Sequence, residues 1–336
     1  MSGTMRSYRV LSLFDGMSCG QIALRELGVP VSAYFASEVN PFAIAQTQLN
    51  FPQTVQVGDV RALEVDRLCA EGEIDLLIGG SPCQDFSFAG KRAGMVNTER
   101  EEIVSLDHYL RLKANGFQFQ GQSFLFWEYM RVLTALRKRN PHLLFLLENV
   151  EMKQRWERVL SEAIGLSGVH IDSALVSAQR RKRIYWSNFQ TRRKGLFGSL
   201  VTDIPQPVDR RVVLQDVLES KVDPHYVVND RLAKRITAEV GALPAGTRVI
   251  FQRGRGFNKG GVHVEKSPTL SAHAWEQNNL VVGDGVVRRV TPTETARLQT
   301  IPEWYCWGCS ATQQYRLLGN GWTVEVIMHL LSFLKR

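Results

Sequence analysis

The feature that most constrains this chain is the alternation of short apolar segments and helical patterns in its first half. Residues 8–14, 31–36, 54–57, 74–78 and 143–147 are β-rich apolar runs. Between them, residues 21–27, 41–50 and 124–137 carry apolar side chains at helical spacing. Strands buried on both faces read as continuous apolar runs, and a helix after each one is the mark of a parallel, doubly wound sheet. An α/β fold of the Rossmann-like type is therefore expected.

After about Ser187 the pattern changes. Polar, Gly- and Pro-containing stretches run to about Gly285, with short β-like pieces such as 248–251 and 280–282. Helical patterns return at 292–300 and 322–334. This predicts a main domain over 8–186, a small irregular lobe over 187–285, and a C-terminal segment, 286–336, that returns to the main domain. The polar stretch 95–122 reads as a long insertion, and a long loop in a compact domain is commonly either functional or disordered.

Charge narrows the partners. The formal net charge is +8, and clustered Lys and Arg favour phosphate-bearing partners. No acid lies between Asp172 and Asp203, where Arg180, Arg181, Lys182, Arg183, Arg192, Arg193 and Lys194 fall. A second acid-free stretch, between Glu239 and Glu265, holds Arg248, Arg253, Arg255 and Lys259 among glycines. One such stretch can be a solvated face; two point to a nucleic-acid footprint. The five scattered cysteines do not form a disulfide framework and fit a reducing compartment. No apolar run is long enough to span a bilayer, and the first residues lack a signal-peptide core. A cytoplasmic protein is expected.

The strand ends carry the chemistry. The first strand runs into Phe14-Asp15-Gly16-Met17-Ser18, a turn that lets backbone approach a ligand at a helix N-terminus. The second ends in Ser37-Glu38, an acid placed to receive ribose hydroxyls. The third ends in Gly58-Asp59, an acceptor suited to an adenine amino group. Together they suggest a ligand containing adenosine. No phosphate cradle of the Walker or dinucleotide type is present, which S-adenosyl-L-methionine does not need. The fourth strand leads to Ser81-Pro82-Cys83, and the fifth ends in Glu148-Asn149-Val150. A cysteine and a carboxylate thus reach the edge where open α/β sheets place their sites. If residues 179–186 form a strand, Gln179, Arg181 and Arg183 share one face.

This ordered set, completed by Thr291-Pro292-Thr293-Glu294 and Leu318-Gly319-Asn320, resembles the DNA (cytosine-5)-methyltransferase family over nearly the whole chain. Gly79-Gly80-Ser81-Pro82-Cys83 and Gly321-Trp322-Thr323-Val324 also resemble the catalytic domain of animal de novo DNA methyltransferases. The resemblance implies S-adenosyl-L-methionine as cofactor, double-stranded DNA as partner and a stand-alone monomer of bacterial or phage type, of the kind found in restriction-modification. It implies Cys83 as nucleophile on a flipped-out cytosine, Glu148 at the base N3, and Arg181 and Arg183 on its carbonyl and nearby phosphates. Cofactor contacts are implied for Phe14, Asp15, Gly16, Met17, Ser18, Glu38, Val39, Asp59, Val60, Pro82, Leu125, Asn320 and Trp322. Most bacterial members carry small residues where Trp322 stands. DNA contacts are expected from Ser87, Gln179, Arg181, Arg183 and, in the 187–285 target-recognition lobe, Arg253, Arg255 and Lys259.

Three other readings remain open on sequence. His263-Val264-Glu265 with Cys306-Trp307-Gly308-Cys309 partly mimics a zinc deaminase, but Tyr305 stands where that pattern has proline, and no metal is expected. A catalytically silent regulator would not need Cys83 and Glu148. A tRNA-methylating branch of the family lacks a developed recognition lobe, for which 187–285 is available here.

Overall fold

The computed structural model of the chain describes residues 6–82, 102–119, 121–195, 198–256 and 258–334. They divide into two units. The first runs to Ile171 and takes in Lys182–Gln206 and the stretch from Met328. The second is Asp172–Arg181 with Pro207–Ile327. Of the stretch 187–285, residues 187–206 thus belong to the first unit and 207–285 to the second.

In the first unit the chain runs β1 (Tyr8–Leu13), α1 (Cys19–Glu26), β2 (Val31–Ser37), α2 (Pro41–Asn50), β3 (Val55–Gln56), α3 (Val65–Leu68), β4 (Leu76–Gly80), α4 (Leu106–Ala114), α5 (Leu125–Arg139), β5 (Leu144–Val150), α6 (Gln154–Ile164), β6 (Val169–Asp172), β7 (Lys182–Ser187), β8 (Thr191–Lys194) and β9 (Ser199–Thr202). Seven strands form one sheet in the order β3-β2-β1-β4-β5-β7-β6. β3, β2, β1, β4 and β5 are parallel, and β7 runs antiparallel to β5. The strand order reverses between β1 and β4, the switch point at which such sheets open a crevice beyond their carboxyl ends. Leu11, Leu13, Leu77, Phe145 and Leu147 point into a core closed by Phe126, Trp127, Leu133 and Leu136 of α5 and Trp156, Leu160 and Ile164 of α6. Burying each such side chain contributes about 1.5–3 kcal/mol.

Local sequence sets the element ends. α2 begins where Asn40 accepts from the Phe42 N–H (3.0 Å), with Pro41 at the first turn. α6 ends at Gly165, φ 87°, a left-handed position suited to glycine. The expected fifth strand is longer than its apolar run and carries Glu148 and Asn149 inside the pairing, because β4 and β7 bond it from both sides. The insertion 95–122, read as a loop, contains α4. Its first turn is capped by the Ser105 hydroxyl, which accepts from the His108 N–H (3.2 Å). Residues 95–101 and 120 lie outside the described set.

The second unit contains α7 (Leu214–Val217), α8 (Asp230–Val240), β10 (Val249–Gln252), β11 (Gly261–His263), α9 (Trp275–Asn278), β12 (Asn279–Gly283), β13 (Val286–Arg289), α10 (Pro292–Leu298) and α11 (Ala311–Asn320); α12 (Val324–Leu331) follows. The lobe expected to be irregular holds a four-stranded antiparallel sheet, β11-β10-β12-β13. Both faces of its central strands are covered. Ile250 and Val281 join Leu214, Leu270, Trp275 and Leu298 in one cluster, while Val249, Phe251, Leu280 and Val282 pack with Ile236 and Val287 in another. Among the described residues no helix is long and apolar enough to cross a membrane.

The close passage of β4 beside β1 has a measurable consequence. A Cβ on Gly79 would lie 2.9 Å from the Leu13 carbonyl oxygen and 3.1 Å from the Tyr129 ring. Neither the strand backbone nor the buried ring can retreat, so Gly79→Ala is expected to destabilise the fold by about 1–3 kcal/mol. Chemical denaturation checks this, and an unchanged midpoint would contradict the packing.

Candidate active site

Register brings the strand ends of the first unit to one rim. Leu13 pairs with Ser37 on one side and Gly79 on the other, Gly80 pairs with Glu148, and Val150 pairs with Arg183. The carboxyl ends of β1, β2, β4 and β5 and the amino end of β7 therefore lie side by side.

The β1 turn is tightly wound. Phe14 (φ 58°), Gly16 (φ 58°) and Ser18 (φ 65°) all adopt left-handed backbone, which is uncommon for Phe and Ser and persists where the surroundings enforce it. A Cβ on Gly16 would meet nothing within 4 Å, so the turn faces open space. Glu38 fastens this turn to β2. One of its oxygens accepts from the Gly16 N–H (2.8 Å), the other from the Val39 and Asn40 N–H groups (2.7 and 2.8 Å). The Tyr34 hydroxyl donates to Asp15 Oδ1 (2.8 Å), while Asp15 Oδ2 is buried without a hydrogen-bond partner. Burial pushes the Asp15 carboxyl up to about 6.

Asp59 ends the next strand segment. Its Oδ1 accepts from the Arg61 N–H (2.9 Å) and its Oδ2 from the Arg61 guanidinium (2.8 and 2.5 Å). Those bonds hold its carboxyl below the usual carboxylate range. Met17 and Val60 are buried, Leu125 is half-buried at the first position of α5, and Val39 is exposed.

At the other end of the rim, Glu148 is 8% exposed and pairs with Arg183, Nε to Oε1 3.0 Å. Asn149 donates to the Ser81 hydroxyl (2.9 Å), fixing the residue before Pro82. Cys83 and Ser87 lie outside the described residues. Tyr34 and Arg61 were not singled out from sequence, and Asn149 appeared there only as a member of the Glu148-Asn149-Val150 motif. Tyr34 and Asn149 act through partners distant in sequence, and Arg61 through its close neighbour Asp59.

Gln179 and Arg181 do not share a strand with Arg183, because β7 begins at Lys182. Both belong to the second unit. Gln179 is fully buried; its amide donates to the Leu298 carbonyl and Gln299 Oε1 (3.1 Å each) and accepts from the Leu270 N–H (2.9 Å). The Arg181 guanidinium donates to the carbonyls of Leu270 (2.9 Å), Gly319 (3.2 Å) and Gly321 (2.8 Å). It thereby braces the backbone on both sides of Asn320, which is exposed at the end of α11; Trp322 is half-buried. Arg253, Arg255 and Lys259 are exposed on the connection between β10 and β11, where Arg255 and Asn258 bond to each other's backbone. Cys306 is exposed and Cys309 half-buried, and neither is in a disulfide. Among the described residues no three His, Cys, Asp or Glu are grouped to hold a metal.

With this geometry in view, the chain matches the family described as C-5 cytosine-specific DNA methylase over residues 8–109 and 173–336. The chain belongs to that family. It is a DNA (cytosine-5-)-methyltransferase by class. Similar curated proteins include the type II methyltransferase M.NlaX of Neisseria lactamica, 27% identical and covering 98% of this chain and 96% of the relative. Another is the type II methyltransferase M1.ScrFI of Lactococcus lactis subsp. cremoris, 26% identical over 95% and 76%. In structure the methylase is similar to a DNMT2 variant from Spodoptera frugiperda, TM-score 0.64 at 18% identity, covering 97% of this chain and 99% of that one. That likeness bears out the α/β methyltransferase fold. Glu148 lies between the two stretches matched by the family, so its place at the rim rests on the strand register.

The raised Asp15 carboxyl gives a pH test. Its folded value of about 6 exceeds the unfolded value of about 3.9, so its contribution to stability is full below about pH 4 and lost as pH rises through about 6. Asp15→Asn keeps an acceptor for Tyr34 and removes the buried charge. It is expected to raise the melting temperature at pH 8 and to lose that advantage by pH 4. Equal destabilisation at both pH values would contradict the burial of an ionised carboxylate.

Proposed function

We propose that this methylase uses S-adenosyl-L-methionine to methylate C5 of a cytosine flipped out of double-stranded DNA, with Cys83 as covalent nucleophile. The observation that carries the reading is the rim itself. β4 leads into Pro82-Cys83 at the point where its last residue pairs with Glu148, and Glu148 is held 3.0 Å from Arg183.

C5 of cytosine is a weak nucleophile. Attack of the Cys83 thiolate on C6 forms a C–S bond and shifts electron density to C5. Glu148 is the acid suited to hydrogen-bond the ring at N3 as charge gathers there. Arg183 keeps that carboxyl oriented and can meet the base carbonyl. When bound, S-adenosyl-L-methionine supplies an electrophilic methyl group on sulfur. After transfer, loss of the C5 proton and departure of the cysteine sulfur restore the aromatic ring. None of this can occur inside a stacked duplex, so the base must leave the helix.

The first unit's residues fit such a cofactor. The open side of Gly16, the unpartnered Asp15 Oδ2 and the carboxylates of Glu38 and Asp59 offer one close backbone approach and several acceptors. Phe14, Met17, Ser18, Val39, Val60, Pro82 and Leu125 would surround it. Sequence selection is assigned to the stretch from Pro207 to Gly285. There Arg253, Arg255 and Lys259 stand exposed beside Gly260, whose Cβ would lie 2.3 Å from the Gln252 carbonyl oxygen and which therefore holds the connection closed. Arginine can read guanine bidentately in the major groove.

Replacing Cys83 with Ala is expected to lower methyl transfer at least about a thousandfold while leaving S-adenosyl-L-methionine binding within about twofold, since the thiolate acts on the base. Tritiated methyl incorporation and calorimetric titration measure the two separately. Substantial turnover by Cys83→Ala would overturn the covalent mechanism.

A further inference from the structure

Beneath the Asp59 turn lies a cluster of charged side chains with no part in the chemistry above. Glu128 of α5 is fully buried. Its Oε1 accepts from the Tyr109 hydroxyl and the Lys113 ammonium, both on α4 (2.5 Å each), and its Oε2 from Arg131 Nε (2.7 Å). A buried carboxylate with three donors is a satisfied charge, and removing a partner is costly.

The two cations do more than neutralise Glu128. Arg131 donates to the carbonyls of Val60 (2.7 Å) and Leu63 (3.1 Å), and Lys113 donates to the carbonyl of Arg61 (3.1 Å). Three carbonyls of the segment 60–63 are therefore held from below by cations anchored on one buried acid. That segment is a single 3-10 turn, Val60–Ala62, capped by the Asp59 side chain. So short a turn has little stability of its own. Lys113, Glu128 and Arg131 also fall within 110–172, which the family match leaves out.

We propose that Glu128, Lys113 and Arg131 form a positioning cluster for the adenosine end of the cofactor site, fixing the turn that presents Asp59 and Val60. The inference rests on the reading that this turn meets S-adenosyl-L-methionine. It makes α4, which follows directly on the Cys83-containing stretch in the chain, a structural support of cofactor affinity.

The test uses the full chain and S-adenosyl-L-methionine as probe. Lys113→Met removes the bond to the Arg61 carbonyl. It is expected to raise the Kd for the cofactor about tenfold, as loss of a charged hydrogen bond does, while kcat at saturating cofactor and KM for DNA stay within about twofold. Lys113→Arg, which can span both partners, should restore most of the affinity. Tyr109→Phe serves as the contrast. It weakens the hold on Glu128 but touches no carbonyl of the turn, so it should lower the melting temperature with cofactor Kd unchanged. A Lys113→Met protein that melts earlier yet binds cofactor like the wild type would overturn the proposal and leave the cluster purely structural. A wild type that does not bind S-adenosyl-L-methionine would instead overturn the functional reading on which the proposal rests.

Discussion

The antiparallel pairing of β7 with β5 is the constraint on which the rest of the site depends. A parallel sheet alone would bring only carboxyl ends to the rim. Reversing β7 places its first residues there instead, so Arg183 meets the end of β5, and Glu148 acquires a cation at 3.0 Å. A carboxylate this enclosed is costly to bury without a partner. The same reversal sends the chain from Ser187 to the opposite edge of the sheet. There the exposed strand β8 carries Arg192, Arg193 and Lys194. The acid-free stretch that reads as one basic block is thus divided: Arg180 and Arg181 belong to the second unit, while Lys182 and Arg183 begin β7 and Arg192, Arg193 and Lys194 lie beyond its far end.

The rim works because rigid elements hold short polar segments in place. Glu38 ties the β1 turn to the end of β2, Asn149 holds Ser81, and Glu128 with its cations supports the Asp59 turn. Each device uses a charged or amide side chain to satisfy backbone or hydroxyl groups that the sheet leaves open. In the second unit the same logic appears in Gln179, Gln299 and Arg181, a buried network around the carbonyls of Leu270, Leu298, Leu318, Gly319 and Gly321. Such networks are costly when incomplete and specific when complete.

Much of the fold was legible in the sequence. Apolar runs ending in Gly or an acid placed β1, β2, β4 and β5 with their chemistry at the right edge, since burial on both faces leaves a plain hydrophobic signal. The strand read at 54–57 is present as the shorter β3, Val55–Gln56, whereas the helix α4 was missed. β3 has a single partner strand, β2, and α4 hides only Tyr109 fully, so its outward face reads as polar loop. The sheet of the second unit was partly missed because β11 and β13 are short and lie at its edges. Gln179 and Arg181 look like strand neighbours of Arg183 in a Gln-x-Arg-x-Arg run. Their burial against distant carbonyls depends on long-range packing that spacing cannot show.

The proposed reaction turns on one covalent step, attack of Cys83 on the flipped cytosine. The direct measurement is mass spectrometry of peptides from the wild-type protein incubated with S-adenosyl-L-methionine and duplex DNA carrying 5-fluorocytosine at its methylation site. The fluorine at C5 cannot be eliminated, so the expected result is a stable adduct mapped to Cys83, formed only when the cofactor is present. An adduct on Cys306 or Cys309, or methylated product with no trapped protein, would contradict it.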